Sequence, residues 1–247
     1  KNKLLGKKLF SVVATFGTTI RGSIDPIYEI GKICKNNNIW LHIDGSIGGI
    51  FAISNYKSHN IKEIENFNIA NSITINPQKI LGITKTSSIL IIDDINKLKK
   101  AFYTGLPYID SSDDILNRGE LGVQGSRPAE IIKLWLGLKF LGKDGIDSIL
   151  SSSIRKKFLF ENILDKNKFY VYSGSLHIIS FEPKNMNINQ INIWSLKLKK
   201  ILLENKIMIS RPLHKNRYIL RVVFGNFNTN ESHIIDLATF LNNNINE

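Results

Sequence analysis

Cysteine is almost absent. Cys34 is the single one in 247 residues, which excludes an internal disulfide and a cysteine-built metal cluster and suits a reducing compartment, with the cytoplasm as the expected location. No apolar run reaches the roughly 18 residues that a spanning helix needs, so no membrane association is expected. The basic stretch Lys1 to Phe10 runs straight into a strand-like segment, with neither a long apolar segment nor a small-residue cleavage site, and secretion is not signalled. The five histidines (His42, His59, His177, His214 and His233) are scattered without metal-ligand spacing, and no metal is expected. A Gly-x-Ser-x-Gly elbow and a Walker phosphate loop are both missing.

Arginine is also scarce. Of 33 basic residues 7 are Arg and 26 are Lys, against 21 acidic residues, for a net charge of +12. Specific nucleic-acid surfaces favour clustered arginine and interleaved aromatics. Here the lysines are dispersed in small groups such as Lys97 to Lys100 and Lys197 to Lys200, and 27 asparagines accompany them. The charge reads as a solvated surface, with no nucleic-acid partner. With 43% hydrophobic residues, 22% charged and a mean hydropathy of -0.07, the composition is that of a globular chain able to bury a sizeable core.

The pattern along the chain has two halves. SVVATFG (Ser11 to Gly17) reads as a short buried strand rich in β-branched residues. Asp25-Pro26 supplies a helix cap followed by proline at the first helical position. Ile27, Ile30, Ile33 and Cys34 then recur at helical spacing up to Asn36-Asn37-Asn38. A strand follows at Ile39 to Ile43, so strand, helix and strand form a βαβ unit and the sheet is at least partly parallel. A further helix is expected over Ile61 to Phe67 and strands at Ser72 to Ile75 and Ser88 to Ile92. Tyr103 to Gly125 has loop chemistry throughout, and a loop of that length in a compact protein is usually functional or disordered. From Pro128 a helical pattern runs to Leu164 with a break at Gly142 to Gly145. Strands at Phe169 to Tyr172 and Leu176 to Phe181, a helix at Ile191 to Lys206, strands at Ile207 to Arg211 and Tyr218 to Phe224, and a helix at Ser232 to Asn243 complete a small α+β layer. A boundary is placed near residue 130.

Ligands of open α/β sheets bind at the carboxyl ends of the strands. Two polar residues fall there. Asp44 ends WLHID and is followed by Gly45-Ser46-Ile47-Gly48-Gly49, a small run that would let a flat ligand approach the backbone. Lys79 follows SITINP, after Pro77 has turned the chain outward. On spacing alone the pair reads equally as a plain ion pair or as an active site.

The wording around them goes further. ATFGTTIRGSIDP, WLHIDGSIGG, NSITINPQK and GVQGSRPAEIIKLW, in that order, resemble the group II amino-acid decarboxylases that use pyridoxal 5'-phosphate (PLP). The resemblance covers about Val12 to Trp135 and is weaker beyond. It implies an α/β fold, a partial large domain of the PLP-dependent transferase-like (aspartate aminotransferase, fold type I) architecture over residues 1–130, plus a small α+β C-terminal domain with the interdomain helix over residues 131–247. By this resemblance Lys79 matches the lysine that holds the cofactor as an internal Schiff base, a role that needs an amine able to lose its proton. Asp44 matches the carboxylate that pairs with the pyridine nitrogen and tunes the ring as an electron sink. Ser46 takes the small-residue position, usually alanine, against one ring face.

Thr19 matches the second threonine of Gly-Thr-Thr, close to the cofactor; a strand-end threonine bonding the backbone is the alternative. Asn76 matches a residue near the cofactor phosphate. Gln78 stands where many members have histidine; it can still donate a hydrogen bond but brings no positive charge. Tyr108, in the long loop, aligns with the tyrosine thought to protonate the carbanion carbon. Arg221, within ILRVVF, matches an arginine that can approach the substrate carboxylate; a strand arginine paired with an acid is the alternative. Asp25 reads as a helix cap, with a catalytic role as the alternative, and Arg127 as structural.

The family's ring-stacking histidine and its phosphate-anchoring loop lie upstream of the first motif. The expectation is therefore the C-terminal portion of a decarboxylase, with a homodimer of fuller chains or a second polypeptide completing the site and an amino acid as substrate. Another fold type I lyase or aminotransferase, and a non-catalytic remnant or dimerisation module, are the alternatives.

Overall fold

The computed structural model of the chain describes residues 6, 8–54, 61–84, 88–106 and 118–245. A four-stranded sheet in the order β1-β2-β3-β4 organises the first half. β1 (Ser11–Thr15), β2 (Trp40–Gly45) and β3 (Ser72–Ile75) run parallel, and β4 (Ile89–Ile92) closes the far side antiparallel to β3. The β1-to-β2 crossover is α1 (Ile27–Asn36), which buries Ile27, Gly31 and Cys34 at i, i+4 and i+7, the stripe a helix presents to a sheet. Burial pushes the Cys34 thiol pKa up. The helix stops at the asparagines, where Asn38 takes a φ of 53°, a conformation asparagine tolerates better than most residues.

β2 has two unlike faces. Leu41, Ile43 and Gly45 are buried, whereas Trp40, His42 and Asp44 are half-buried, the alternation that period-2 geometry imposes on a strand. Leu41 and Ile43 join Ala14, Phe16, Ile73 and Ile75 in the first core.

The second half is an antiparallel sheet in the order β5-β6-β9 carrying helices. β5 (Phe169–Ser173) and β9 (Leu220–Val223) flank β6 (Ile178–Pro183), all six residues of which are buried. α4 (Ile188–Glu204) and α5 (Glu231–Asn243) each begin with a reciprocal capping box, Asn187 with Gln190 and Asn230 with His233, which satisfies amides that a helix start leaves free. Their inner faces meet Phe160, Phe169 and Phe181; Phe169 and Phe181 sit edge to face at 5.7 Å. α3 (Ile131–Ile163) serves both cores, giving Leu134, Ile146, Leu150 and Ile154 to the first and Phe160 to the second. It is interrupted at Gly142, whose φ of 59° and ψ of -174° are non-helical; only glycine reaches that conformation cheaply. Among the described residues no helix is long and apolar enough to cross a membrane, and no group of three or more potential ligands could hold a metal.

Several expected elements differ. Ile61 to Phe67 is a 3-10 segment (Lys62–Ile69), closed by i to i+3 bonds such as Ile64 N to Ile61 O. The expected strand Ile207 to Arg211 reduces to one bridge between Ser210 and Arg221, because Pro212 has no amide to carry the ladder on. The expected strand Tyr218 to Phe224 divides into β8 (Arg217–Tyr218), which pairs with β7 (Leu213–His214), and β9. Helix α2 (Ile95–Phe102) was not expected; Asp94 caps it by accepting from Asn96 N at 3.0 Å.

The β7-β8 hairpin is tied to β6 by a buried ion pair. Glu182 is 1% exposed. Its carboxylate accepts from Arg217 Nε and, at 2.5 Å, from Arg217 Nη2, and the Tyr172 hydroxyl donates to it at 2.6 Å. The Glu182 bond raises the Arg217 pKa, and burial, the leading cause, raises that of Tyr172. Removing one partner of such a pair strands a buried charge. Arg217→Met should therefore cost about 3–5 kcal/mol in a urea titration, with most of the loss recovered in the Glu182→Leu/Arg217→Met double variant; a single-variant loss within the error of the titration would contradict this account.

Candidate active site

The three parallel strands end level. Thr15 of β1 lies opposite Asp44 of β2, and Asp44 lies opposite Thr74 of β3. Asp44 is thus carried on an inner strand, and its backbone is fixed by Phe16 N donating to Asp44 O at 2.8 Å. One carboxylate oxygen, Oδ1, accepts from Ser46 Oγ at 2.6 Å and from Ser46 N at 3.1 Å. Among the described residues Oδ2 accepts from none. The Ser46 hydroxyl bond is the main cause holding the Asp44 carboxyl below its ordinary pKa; burial opposes it, and the Ser46 amide and the charges of Lys79 and His42 add to it. Asp44 is an anion with one oxygen clamped and one to offer.

β3 delivers the lysine. After Ile75 the chain turns through Asn76-Pro77-Gln78, with Lys79 N donating to Asn76 O at 3.1 Å. Lys79 is exposed while Ile80 and Leu81 behind it are buried, which anchors the turn and leaves the amine outside. Its charge is felt at Asp44, yet no ion pair joins the two among the described residues. The plain ion-pair alternative is therefore not what the structure forms. Asn76 Oδ1, in the same turn, is buried without a hydrogen-bond partner, an arrangement that costs free energy unless a donor arrives.

A polar ladder missed by the sequence reading runs beside Asp44. His42 Nδ1 lies 2.8 Å from Ser72 Oγ and His42 Nε2 lies 3.1 Å from Thr74 Oγ1, while Trp40 Nε1 donates to Ser72 Oγ at 2.9 Å. The signal was present as alternation, with Trp40, His42 and Asp44 on one face of β2 and Ser72 and Thr74 opposite.

The loop after β1 brings Thr19 and Arg221 together. Arg221 Nη1 donates to Thr19 O at 2.8 Å, and its Nε donates to Ser210 Oγ at 2.8 Å. Among the described residues no carboxylate pairs with Arg221, and burial lowers its pKa. Thr19 is exposed; its neighbour Thr18 makes the backbone bond, accepting from Ser23 N at 3.0 Å. Asp25 is not a helix cap. Its Oδ2 accepts from Thr15 N at 2.7 Å, and α1 starts behind Pro26 with no side-chain cap, so Asp25 clasps the end of β1. Arg127 donates to Arg118 O. The glycines after Asp44 serve packing: a Cβ on Gly48 would come within 2.6 Å of Phe16 and Leu176, and one on Gly45 within 2.8 Å of Thr74 O. Tyr108 lies outside the described residues.

The profile of the pyridoxal-dependent decarboxylase conserved domain matches residues 1–183. The chain belongs to that family. It is similar to the aromatic-L-amino-acid decarboxylase of Bacillus atrophaeus, with 28% identity over 249 residues, covering 96% of this chain and 51% of that protein. It also resembles the acidic amino acid decarboxylase GADL1 of Mus musculus, at 30% identity over 167 residues, 65% of this chain and 30% of that one. Of solved structures, mouse CSAD superposes with a TM-score of 0.85 at 25% identity over 97% of this chain and 53% of that one. Oryza sativa TDC, crystallised with PLP and tryptamine, gives 0.87 at 18% identity over 99% and 52%. The chain thus has the decarboxylase fold, a partial α/β domain of fold type I continued by an α+β layer. It spans about half the length of the relatives it matches across its whole extent.

The residues fit the family's cofactor: a low-pKa carboxylate with a free oxygen and, one strand away, a lysine that makes no ion pair among the described residues. Because the Ser46 hydroxyl is the main cause of the lowered Asp44 pKa, Ser46→Ala should move the Asp44 titration upward when the aspartate carboxyl carbons are followed by NMR. An unmoved Asp44 would contradict the clamp.

Proposed function

We propose that this chain supplies the lysine-bearing half of a PLP-dependent L-amino-acid decarboxylase, releasing an amine and carbon dioxide. The observation that carries the reading is Asp44, ionised and half-clamped, in the field of a lysine with which it makes no ion pair. When bound, PLP supplies a protonated ring that accepts the electron pair left as carbon dioxide departs.

In this reading Lys79 would hold the cofactor through its amine. Asp44 Oδ2 would pair with the ring nitrogen and keep it protonated, and Ser46 and Thr19 would line the ring. Asn76 and Gln78 sit toward the phosphate. Arg221, braced by Thr19 O and Ser210 Oγ, offers its guanidinium to the substrate carboxylate, for which its planar fork is suited. Tyr108 is the proton donor to the carbon that loses the carboxylate, on an assignment that rests on sequence resemblance.

The proposed division is a cofactor-binding part over residues 1–130 and a small domain over 131–247. The proposed setting is the cytoplasm. The proposed assembly is a homodimer of fuller chains or a pairing with a second polypeptide that carries the upstream half. Exposed Ile131, Ile132, Trp135, Leu136 and Phe140 on the first part of α3 support association, since a contiguous apolar face in water marks an interface.

The test is incubation with PLP, borohydride reduction and mass mapping of the modified lysine. Labelling confined to Lys79 among 26 lysines is expected, together with amine and carbon dioxide once the upstream half is supplied. Scattered surface labelling, or a keto-acid product, would overturn the assignment.

A further inference from the structure

Away from the strand ends, a cavity of about 170 Å³ lies between α3 and the loop that leads from β9 to α5. Ser148, Ser152, Ser153 and Lys156 line it from the helix, and Asn226 and Phe227 from the loop. Lys156 is 7% exposed. Its ammonium donates to Asn226 O at 3.1 Å, and among the described residues it makes no ion pair. Its neighbours on α3 do: Arg155 pairs with Glu231 at 3.2 Å and Lys157 with Glu161 at 2.8 Å.

An ammonium carries three donors, and a buried charge is ordinarily paired. One neutral carbonyl does not neutralise it. The lysine's pKa is lowered, chiefly by burial and also by the charge of Arg155, so the site is short of negative charge. Ser153 Oγ donates back to Leu150 O at 2.7 Å, which orients its lone pairs. The Ser148 and Ser152 hydroxyls, one helical turn apart, supply further donors along the same wall. A buried cation and hydroxyl donors around a half-open pocket form a receptor for a compact anion with several oxygens.

We propose that this cavity binds a phosphate group, with Lys156 as counter-ion and the Ser148 and Ser152 hydroxyls as hydrogen-bond donors. It is separate from the cofactor site, yet the two share a support. Phe227 packs where a Cβ on Gly82 would fall, 2.9 Å from its ring, and Gly225 lies 3.9 Å from Ile80 by the same measure; both contacts are with the segment that directly follows Lys79. A phosphate held here braces the loop behind that lysine.

The experiment is thermal unfolding of the chain in rising inorganic phosphate, with a small phosphomonoester in parallel and chloride at matched ionic strength. A ligand that binds only the folded state raises the midpoint with its concentration. The midpoint should rise with phosphate or with the monoester and not with chloride, the larger response showing whether the free ion or the ester is the occupant. Lys156→Met should lose the response. Lys79→Ala should keep it, which separates this cavity from phosphate bound beside the active-site lysine. A response no larger than chloride's, or one that survives in Lys156→Met, overturns the proposal. Should Lys156→Met fail to fold, amide shifts in the wild-type protein decide: perturbations centred on 148–156 and 224–227, reaching no further than the packed 80–82 segment, support the site, and perturbations centred elsewhere or none overturn it.

Discussion

The register of three parallel strands is the constraint on which the rest depends. Pairing Thr15 with Asp44 and Asp44 with Thr74 sets the strand ends level and sends Leu41 and Ile43 into the core while His42 and Asp44 face the other way. A slip of one residue would exchange the two faces of β2. It would bury the carboxylate among isoleucines and expose the core residues. The apolar side enforces the register: Ile43, Ala14 and Phe16 are fully buried and Leu41 is 1% exposed. Hydrophobic burial on one face thereby places the polar row of His42 and Asp44 on the other, and the Ser46 clamp then holds one oxygen of the strand-end aspartate.

The second sheet matters to the site through the loop that follows β1. Arg221 of β9 donates to Thr19 O, Ser180 of β6 donates to Ile20 O, and Leu176 N donates to Gly22 O at 3.4 Å. These bonds reach backbone carbonyls, so the loop's path is fixed whatever its side chains are. The contact is close enough that a Cβ on Gly174 would fall 2.7 Å from Arg21 O. Gly17, at a φ of 116° and packed on Leu176 and Ile47, makes the turn that starts this loop, in a conformation L side chains rarely adopt. An arginine suited to a carboxylate thus arrives beside the strand ends as part of the joint between the two halves. His177, close by, is 3% exposed and stacks on Phe51 at 6.0 Å; burial lowers its pKa to about 4, so it is neutral filling of the joint at physiological pH.

Much of this was legible in the sequence, and most of the parts that were not share a cause. β1, α1, β2 and β3 announce themselves through β-branched runs, helical spacing and asparagine stops, all local signals. The motif wording around Asp44 and Lys79 identified the family that the profile match then showed. Asp25 was misread because Asp-Pro before a helical stripe is a cap signal, whereas its partner, Thr15 N, is ten residues away across the loop. The glycines after Asp44 were read as room for a ligand, but their neighbours Phe16, Leu176 and Thr74 come from other segments. Ser210, Pro212 and β7-β8 show the same limit, since strand propensity does not say which strands find partners. α2 is short, and its lysine-rich surface hid its cap. Contacts with distant segments decided Asp25, the glycines and Ser210, and spacing along the chain does not encode them, whereas the α2 cap from Asp94 to Asn96 N is local.

Asp44 is proposed as the carboxylate partner of the cofactor ring, placed by register and clamped by Ser46. Calorimetric titration of PLP into the chain and into Asp44→Asn tests it most directly, because the substitution keeps the shape and removes the charge. The expected result is a dissociation constant raised at least about tenfold, equivalent to roughly 1.4 kcal/mol, in a variant whose unfolding midpoint stays near the wild-type value. Equal PLP affinity in the two proteins would contradict it.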